Sequence, residues 1–288
     1  MTPPKPRWRK EMRKINLYYF CYTITLTITV LFCSHAIAAA EDDKQAFQHY
    51  FLEKFPKMGL QDFADGVYGI DPPAKQQWLA TEELPPYQFD IDDGQRIYQE
   101  SKTLQSCFPN AVKGIAQHYP YFDDEQGQVI TLPLAINRCL QTAGEQTLAY
   151  KQGEIASLLA YFSFQSRNAI IATSLPSEQA IQAYEKGKHF FYARRGQLNF
   201  SCAHCHVDNV GKRIRSSLIS PALGHTSHFP VYRSKWGGLG TLHKRFAVCN
   251  EQTRAKAFPA QSEEYRNLEY FLSYMSNGIQ LNGPSSRN

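Results

Sequence analysis

An all-α fold in two similar halves is predicted by this 288-residue sequence, and three observations predict it. Apolar residues recur at helical spacing in two long stretches, Ala180, Tyr184, Gly187 and Phe191 on one stripe and Tyr265, Leu268, Leu272 and Met275 on another. A run of landmarks occurs twice. Asp93-Gly94-Gln95-Arg96-Ile97-Tyr98 leads to Cys107 much as Lys186-Gly187-Lys188-His189-Phe190-Phe191-Tyr192 leads to Cys202. Arg138-Cys139 then precedes Leu159-Ala160-Tyr161-Phe162 at nearly the spacing by which Cys249 precedes Leu268-Glu269-Tyr270-Phe271. Third, Cys202-Ala203-His204-Cys205-His206 places two thiols three positions apart with a histidine directly after them, the attachment signature of a c-type haem. Each thiol forms a thioether to a haem vinyl group, and His206 binds the iron from the proximal side.

The elements follow in order. Basic residues Lys5, Arg7, Arg9, Lys10, Arg13 and Lys14 precede an apolar run from about Ile15 to Cys33 and the small residues Ala36-Ile37-Ala38-Ala39-Ala40. That is the order of a secretory signal peptide, expected over 1–40 and cut after Ala38 or Ala40. Retention as an uncleaved anchor is the alternative, because the apolar run is just long enough to span a bilayer. The threonine-rich centre and small-residue exit favour cleavage, export to the periplasm and no stable membrane insertion afterwards. Pro72-Pro73 and Pro85-Pro86 mark an extended lead-in to a first domain over 41–172, and the join to a second domain over 173–288 falls near 168–175. Pro176 and Ser177 open the first helix of that second domain. Ser262 caps its last helix, with Glu263 and Glu264 on the first turn and Asn277-Gly278 as the stop. Gly, Pro, Ser and His between the haem motif and that helix imply long loops around the haem edge. First and last helices crossing over a haem-filled core are the cytochrome c architecture.

A structural zinc knuckle is the competing reading of the motif, but it wants a second Cys or His pair at matching spacing. His204 reads as a solvent-facing spacer. The first half keeps Cys107 in Cys107-Phe108-Pro109-Asn110-Ala111, yet Asn110 and Ala111 stand where the second Cys and the His belong. It therefore holds no haem in the usual way, and the chain is expected to carry one covalent haem c. Cys139, matching Cys249 in position, is then free to pair with Cys107 outside the cytoplasm, two buried thiols being the alternative.

Without residues 1–40 the chain keeps 25 basic and 25 acidic side chains, so the basic balance belongs to the leader. The remaining charge is segregated. Residues 41–186 hold 11 basic and 20 acidic groups, whereas 187–259 hold 12 basic and only Asp208 and Glu251. A basic zone around a redox centre focuses anions toward it, with Lys212, Arg213, Arg215, Arg233 and Lys235 as candidates. Export argues against a nucleic-acid partner.

Cys21 and Cys33 leave with the leader, so five cysteines remain and Cys249 has no partner. It is either a buried inert thiol or the distal ligand of the iron, a place many c-type cytochromes give to methionine. Met275 is the rival ligand, although its position in an apolar stripe suits core packing. Thiolate ligation lowers a haem potential, and Arg245, one helical turn before Cys249, would depress the thiol pKa and hold an anion beside it. His225, His228 and His243 read as loop or haem-edge residues.

The mature chain resembles SoxA, the cytochrome subunit of SoxAX thiosulfate-oxidising complexes, from about residue 60 to the end. The carrying segments are Gly196-Gln197-Leu198-Asn199 into the haem motif, Thr241-Leu242-His243-Lys244-Arg245-Phe246-Ala247-Val248-Cys249, and the tail from Gly278-Ile279-Gln280 through Pro284 to Arg287. His118-Tyr119-Pro120-Tyr121-Phe122-Asp123 and Ala135-Ile136-Asn137-Arg138-Cys139 add to them. The resemblance implies an L-cysteine S-thiosulfotransferase that joins thiosulfate oxidatively to a cysteine of the carrier SoxYZ, with two electrons leaving through haem. It implies haem anchored at Cys202 and Cys205, His206 and Cys249 as axial ligands, and a persulfide on Cys249. It also implies anion contact at Arg245, a SoxX-type cytochrome as partner, and a single-haem form of the family. A plain electron-transfer cytochrome is the alternative function, and a structural haem subunit whose partner does the chemistry is a third.

Overall fold

The computed structural model describes residues 37–214 and 217–287. Residues 1–42 and 43–288 form separate units. The leader expected over 1–40 thus lies outside the described residues except for 37–40, which are helical. No helix among the described residues is long and apolar enough to cross a membrane.

Within 43–288 the chain starts with helix α1 (43–54), whose Phe47 and Phe51 are buried. Phe47 meets Phe191 and Phe271 edge-on at 6.2 and 6.5 Å, so α1 lies against the second half of the chain. The ten-residue 3₁₀ segment Leu60–Gly69 continues along it. Helix α2 (Pro72–Glu82) follows where the sequence suggested an extended lead-in. The physical reason is local: Pro72 and Pro73 occupy the first helical turn, where a missing N–H costs nothing, and the Asp71 carboxylate accepts from Ala74 N.

Helices α3 (Gln88–Glu100) and α4 (Lys102–Cys107) lead to a hairpin, β1 (Tyr121–Asp123) with antiparallel β2 (Gln128–Ile130), and then to α5 (Leu132–Thr142) and α6 (Glu154–Gln165). The second half has α7 (Glu178–Tyr192), a single π turn over His204–Asp208, and a two-residue ladder of β3 (Arg213–Ile214) with β4 (Ser217–Leu218). A hairpin of β5 (Val231–Arg233) and β6 (Gly238–Gly240) comes next, then α8 (Leu242–Gln252) and α9 (Glu263–Met275). Strand β7 (Ser285–Ser286) returns to lie parallel to β5. The order helix, hairpin, helix, helix therefore appears in both halves.

The caps agree with the sequence: Ser177 accepts from Ala180 N, and Ser262 from Tyr265 N. Thr131 and Thr241 cap α5 and α8 in the same manner. The hairpins were not legible, because strands of three residues carry no measurable alternation. In each half the first helix crosses the last at a glycine. A Cβ on Gly94 would lie 2.0 Å from the Ser157 carbonyl oxygen, and one on Gly187 would lie 2.0 Å from that of Asn267.

Cys107 and Cys139 are joined by a disulfide between α4 and α5. The cross-link closes a loop with a sequence separation of 32 residues. In the chain-entropy account such a loop contributes about 4 kcal/mol by restricting the unfolded chain. The double substitution Cys107→Ser, Cys139→Ser should lower the denaturant-unfolding free energy by about that amount. A loss below about 1 kcal/mol would refute the assignment of this stability to the cross-link.

Candidate active site

The haem motif sits between α7 and the β3–β4 ladder, where Ser201 Oγ accepts from His204 N at 3.0 Å and starts the turn. His204 is half-buried rather than a free spacer, since its ring stacks on Phe200 at 4.6 Å. His206 Nδ1 lies 2.8 Å from the Ser220 carbonyl oxygen. A carbonyl only accepts, so Nδ1 carries the proton and Nε2 keeps its lone pair for a ligand. The ring of His225 stands edge-on to His206 at 4.4 Å, and His225 and His228 are both held neutral by burial and by neighbouring positive charge.

Cys249 comes from the other side of the second half, on α8. Its side chain lies beside that of His206 and in the electrostatic field of Cys202 and Cys205. Burial alone would push its thiol up, but the Arg245 and Arg233 guanidiniums and the neighbouring imidazole outweigh that and hold it at about 7. Cys202 behaves in the opposite way, pushed up to about 12 by burial and the adjacent sulfurs, and burial also raises Cys205. None of the three is in a disulfide. The donor set fits a c-type haem: two un-ionised thiols for thioethers, one oriented imidazole nitrogen, and one acidic sulfur beside it.

Met275 is buried at 1 % exposure within α9 and belongs to the core. His243 lies on a helix and not in a loop. It is buried on α8, where Nδ1 accepts from Gln261 N at 2.9 Å and Nε2 lies 2.9 Å from the Glu269 carboxylate, tying α8 to α9. Arg233 departs from its expected role as a surface attractor. Only 9 % of it is exposed, its guanidinium lies over the Trp236 ring, and it shares the field of Cys249 and Arg245. Arg215 lies outside the described residues. Sequence reasoning missed Tyr68 and Trp78 and placed Arg287 only as the end of the tail that resembles SoxA; the return of the chain as β7 sets Arg287 over both rings.

A helical fold with this donor set defines a c-type cytochrome. The sequence model described as SoxA/TsdA, cytochrome c domain, matches residues 94–171, the half without the haem motif. The chain is 52 % identical over 256 residues to the L-cysteine S-thiosulfotransferase subunit SoxA of Allochromatium vinosum, covering 87 % of this chain and 91 % of that protein. It is 50 % identical over 256 residues to the protein of the same name from Chlorobaculum thiosulfatiphilum, covering 87 % and 88 %. The crystal structure of SoxXA from P. pantotrophus superposes with a TM-score of 0.66 at 28 % identity, over 73 % of this chain and 83 % of that one. The chain belongs to the SoxA family.

Proposed function

We propose that the chain is the sulfur-handling subunit of a periplasmic L-cysteine S-thiosulfotransferase, in which thiosulfate is joined to a cysteine of a SoxYZ-type carrier. The reaction forms one S–S bond between the terminal sulfur of thiosulfate and the carrier sulfur, releases the carrier thiol proton, and gives up two electrons. The observation that carries this reading is Cys249, a half-buried sulfur outside any disulfide and set beside His206, Arg245 and Arg233, in a chain 52 % identical to a protein named L-cysteine S-thiosulfotransferase subunit SoxA. A haem bound at Cys202, Cys205 and His206 supplies one-electron acceptance. Cys249 is the sulfur through which the transfer would pass: an S–S bond to the terminal sulfur of thiosulfate would form as the two electrons leave, and the carrier thiolate would then attack that terminal sulfur, Cys249 leaving as thiolate. Arg245 sits one helical turn from it on α8 and holds the sulfonate oxygens through charge-assisted hydrogen bonds.

The SoxXA structure supports a SoxX-type cytochrome as partner. One haem suits this chain, since Cys107 is committed to a disulfide and Asn110 and Ala111 offer neither thiol nor imidazole. The repeated element order, with the cytochrome c match falling on 94–171, supports a haem-free domain over 41–172 and a haem domain over 173–288 related by duplication. The leader supports the periplasm as its compartment.

The test is to incubate the purified chain, its partner cytochrome and the carrier with thiosulfate. The carrier should gain the mass of the thiosulfate adduct on its thiol as haem is reduced. Haem reduction with no added mass would instead assign a plain electron-transfer cytochrome. Arg245→Ala should lower kcat/KM for thiosulfate by roughly 10- to 100-fold, the value of a hydrogen-bonded charge, with the haem spectrum retained. Steady-state kinetics with an unchanged KM and rate would remove Arg245 from the site.

A further inference from the structure

The first and second halves meet at a cavity that the sulfur chemistry does not use. Its volume is about 80 Å³, and much of its wall is apolar, with Tyr119, Leu132 and Leu159 from the first half and Phe229, Leu242 and Leu281 from the second. Direct hydrogen bonds cross the junction beside it. Thr131 Oγ1 donates to Gln261 Oε1 at 2.6 Å, and Ser163 Oγ donates to Phe229 O at 3.1 Å.

Polar groups with nothing to bond to line the same space. Thr226 Oγ1, His243 Nε2 and Gln261 Nε2 are buried atoms without a hydrogen-bond partner among the described residues, and all three side chains line this cavity. Gln261 is only 7 % exposed and His243 only 1 %. The bond to Thr131 orients the Gln261 amide. A separation of 2.6 Å suits O–H···O and is too short for N–H···O, so the amide oxygen meets Thr131 and Nε2 is left as a donor. The His243 tautomer is fixed as well. Nδ1 accepts from Gln261 N at 2.9 Å, so Nε2 carries the proton. Nε2 stands 2.9 Å from the Glu269 carboxylate but makes no hydrogen bond to it. Glu269 lines the cavity too, and a carboxylate has room for about four hydrogen bonds. From the first half, Ser163 Oγ gives its proton to Phe229 O and keeps lone pairs for a further donor.

This inventory selects the occupant. Two donors, Gln261 Nε2 and His243 Nε2, share the space with a carboxylate that only accepts and with the Thr226 hydroxyl, which does both. A cation would leave both donors unmet, and an anion would stand against Glu269. Water donates and accepts, so it answers every one of these groups. Leaving a buried donor unmet costs more than making its hydrogen bond gains, which favours hydration over a void. A cavity of this size takes about two or three waters.

We propose that the cavity is an internal hydration site, in which ordered waters bonded to Thr226, His243, Gln261 and Glu269 reach Ser163 and join the two halves beside the direct hydrogen bonds. The inference goes beyond the sulfur-transfer reading and does not depend on it.

The experiment is a crystal structure of the mature holoprotein with its partner cytochrome, from native crystals and from crystals pressurised with xenon. Native density should show ordered waters at hydrogen-bond distance from Gln261 Nε2 and Thr226 Oγ1. Xenon should not enter, because it occupies dry apolar cavities. A xenon peak, or a cavity without ordered density, overturns the proposal. So does an ion in place of water, recognised by its anomalous signal after rubidium or bromide soaks. Thr226→Val removes the hydroxyl and keeps the shape, so it should lose the water bound there and melt roughly 2–4 °C lower. Thr226→Ser, which keeps the hydroxyl, should keep that water. The same water in Thr226→Val as in wild type would overturn the part given to Thr226.

Discussion

Replacing Cys249 by alanine should abolish sulfur transfer to the carrier while leaving haem covalently attached. The two functions should separate because the proposed anchoring sulfurs, Cys202 and Cys205, lie just before and within the π turn, whereas Cys249 comes from α8. Alanine removes the only acidic sulfur among the three and deprives Arg245 and Arg233 of the negative charge they face. Truncating a side chain packed beside Arg245 and Arg233 has its own cost, on the order of 1 kcal/mol, so a slightly lower melting temperature should accompany the loss of transfer. Cys249→Met tests ligand against reagent. Methionine can restore a sulfur ligand, so the variant should recover a six-coordinate haem by electron paramagnetic resonance yet still transfer nothing, because a thioether has no exchangeable sulfur. Intact-mass measurement of the carrier reads the transfer, and full turnover by either variant would remove Cys249 from the chemistry.

What the sequence disclosed and what it hid have different physical origins. Helices α7 and α9 were legible because each spans at least three turns, bears a serine cap and stripes one face with apolar residues. The motif at 202–206 was legible because covalent attachment demands a fixed spacing in the chain. Cys249 stood out by elimination among the cysteines. Arg233 could not be placed, since a charged residue in a three-strand ladder is buried or exposed according to what covers it, and its cover is β7, 52 residues further on. The same holds for α1, whose contacts with Phe191 and Phe271 join residues remote in the chain. Long-range contacts of this kind decide the electrostatics around Cys249, so the sequence singled out the cysteine and the fold sets the charges beside it.

Those tertiary contacts also reverse the sign that local propensity assigns to one substitution. In an isolated helix Gly187→Ala would be stabilising by about 1 kcal/mol. Here the new Cβ would stand 2.0 Å from the Asn267 carbonyl oxygen, 2.6 Å from its carbonyl carbon and 2.9 Å from Phe271 Cβ. The first two are backbone atoms and cannot turn aside, so α7 and α9 must separate along the crossing where Tyr184, Phe191 and Phe271 pack. Overpacking of this kind costs roughly 1–3 kcal/mol, and rigid backbone on the far side places it at the upper end. Gly187→Ala should therefore lower the melting temperature by roughly 6–12 °C and reduce the yield of covalent haem. Gly94→Ala meets the Ser157 carbonyl oxygen at the same 2.0 Å, and should destabilise the first half by a similar amount without altering the haem spectrum. Gly238→Ala, with no atom within 4 Å of its Cβ, is the control and should melt as wild type. Equal melting temperatures for Gly187→Ala and Gly238→Ala would mean that the crossing tolerates a methyl group, and the close approach of first and last helices would lose its role in fixing the haem half.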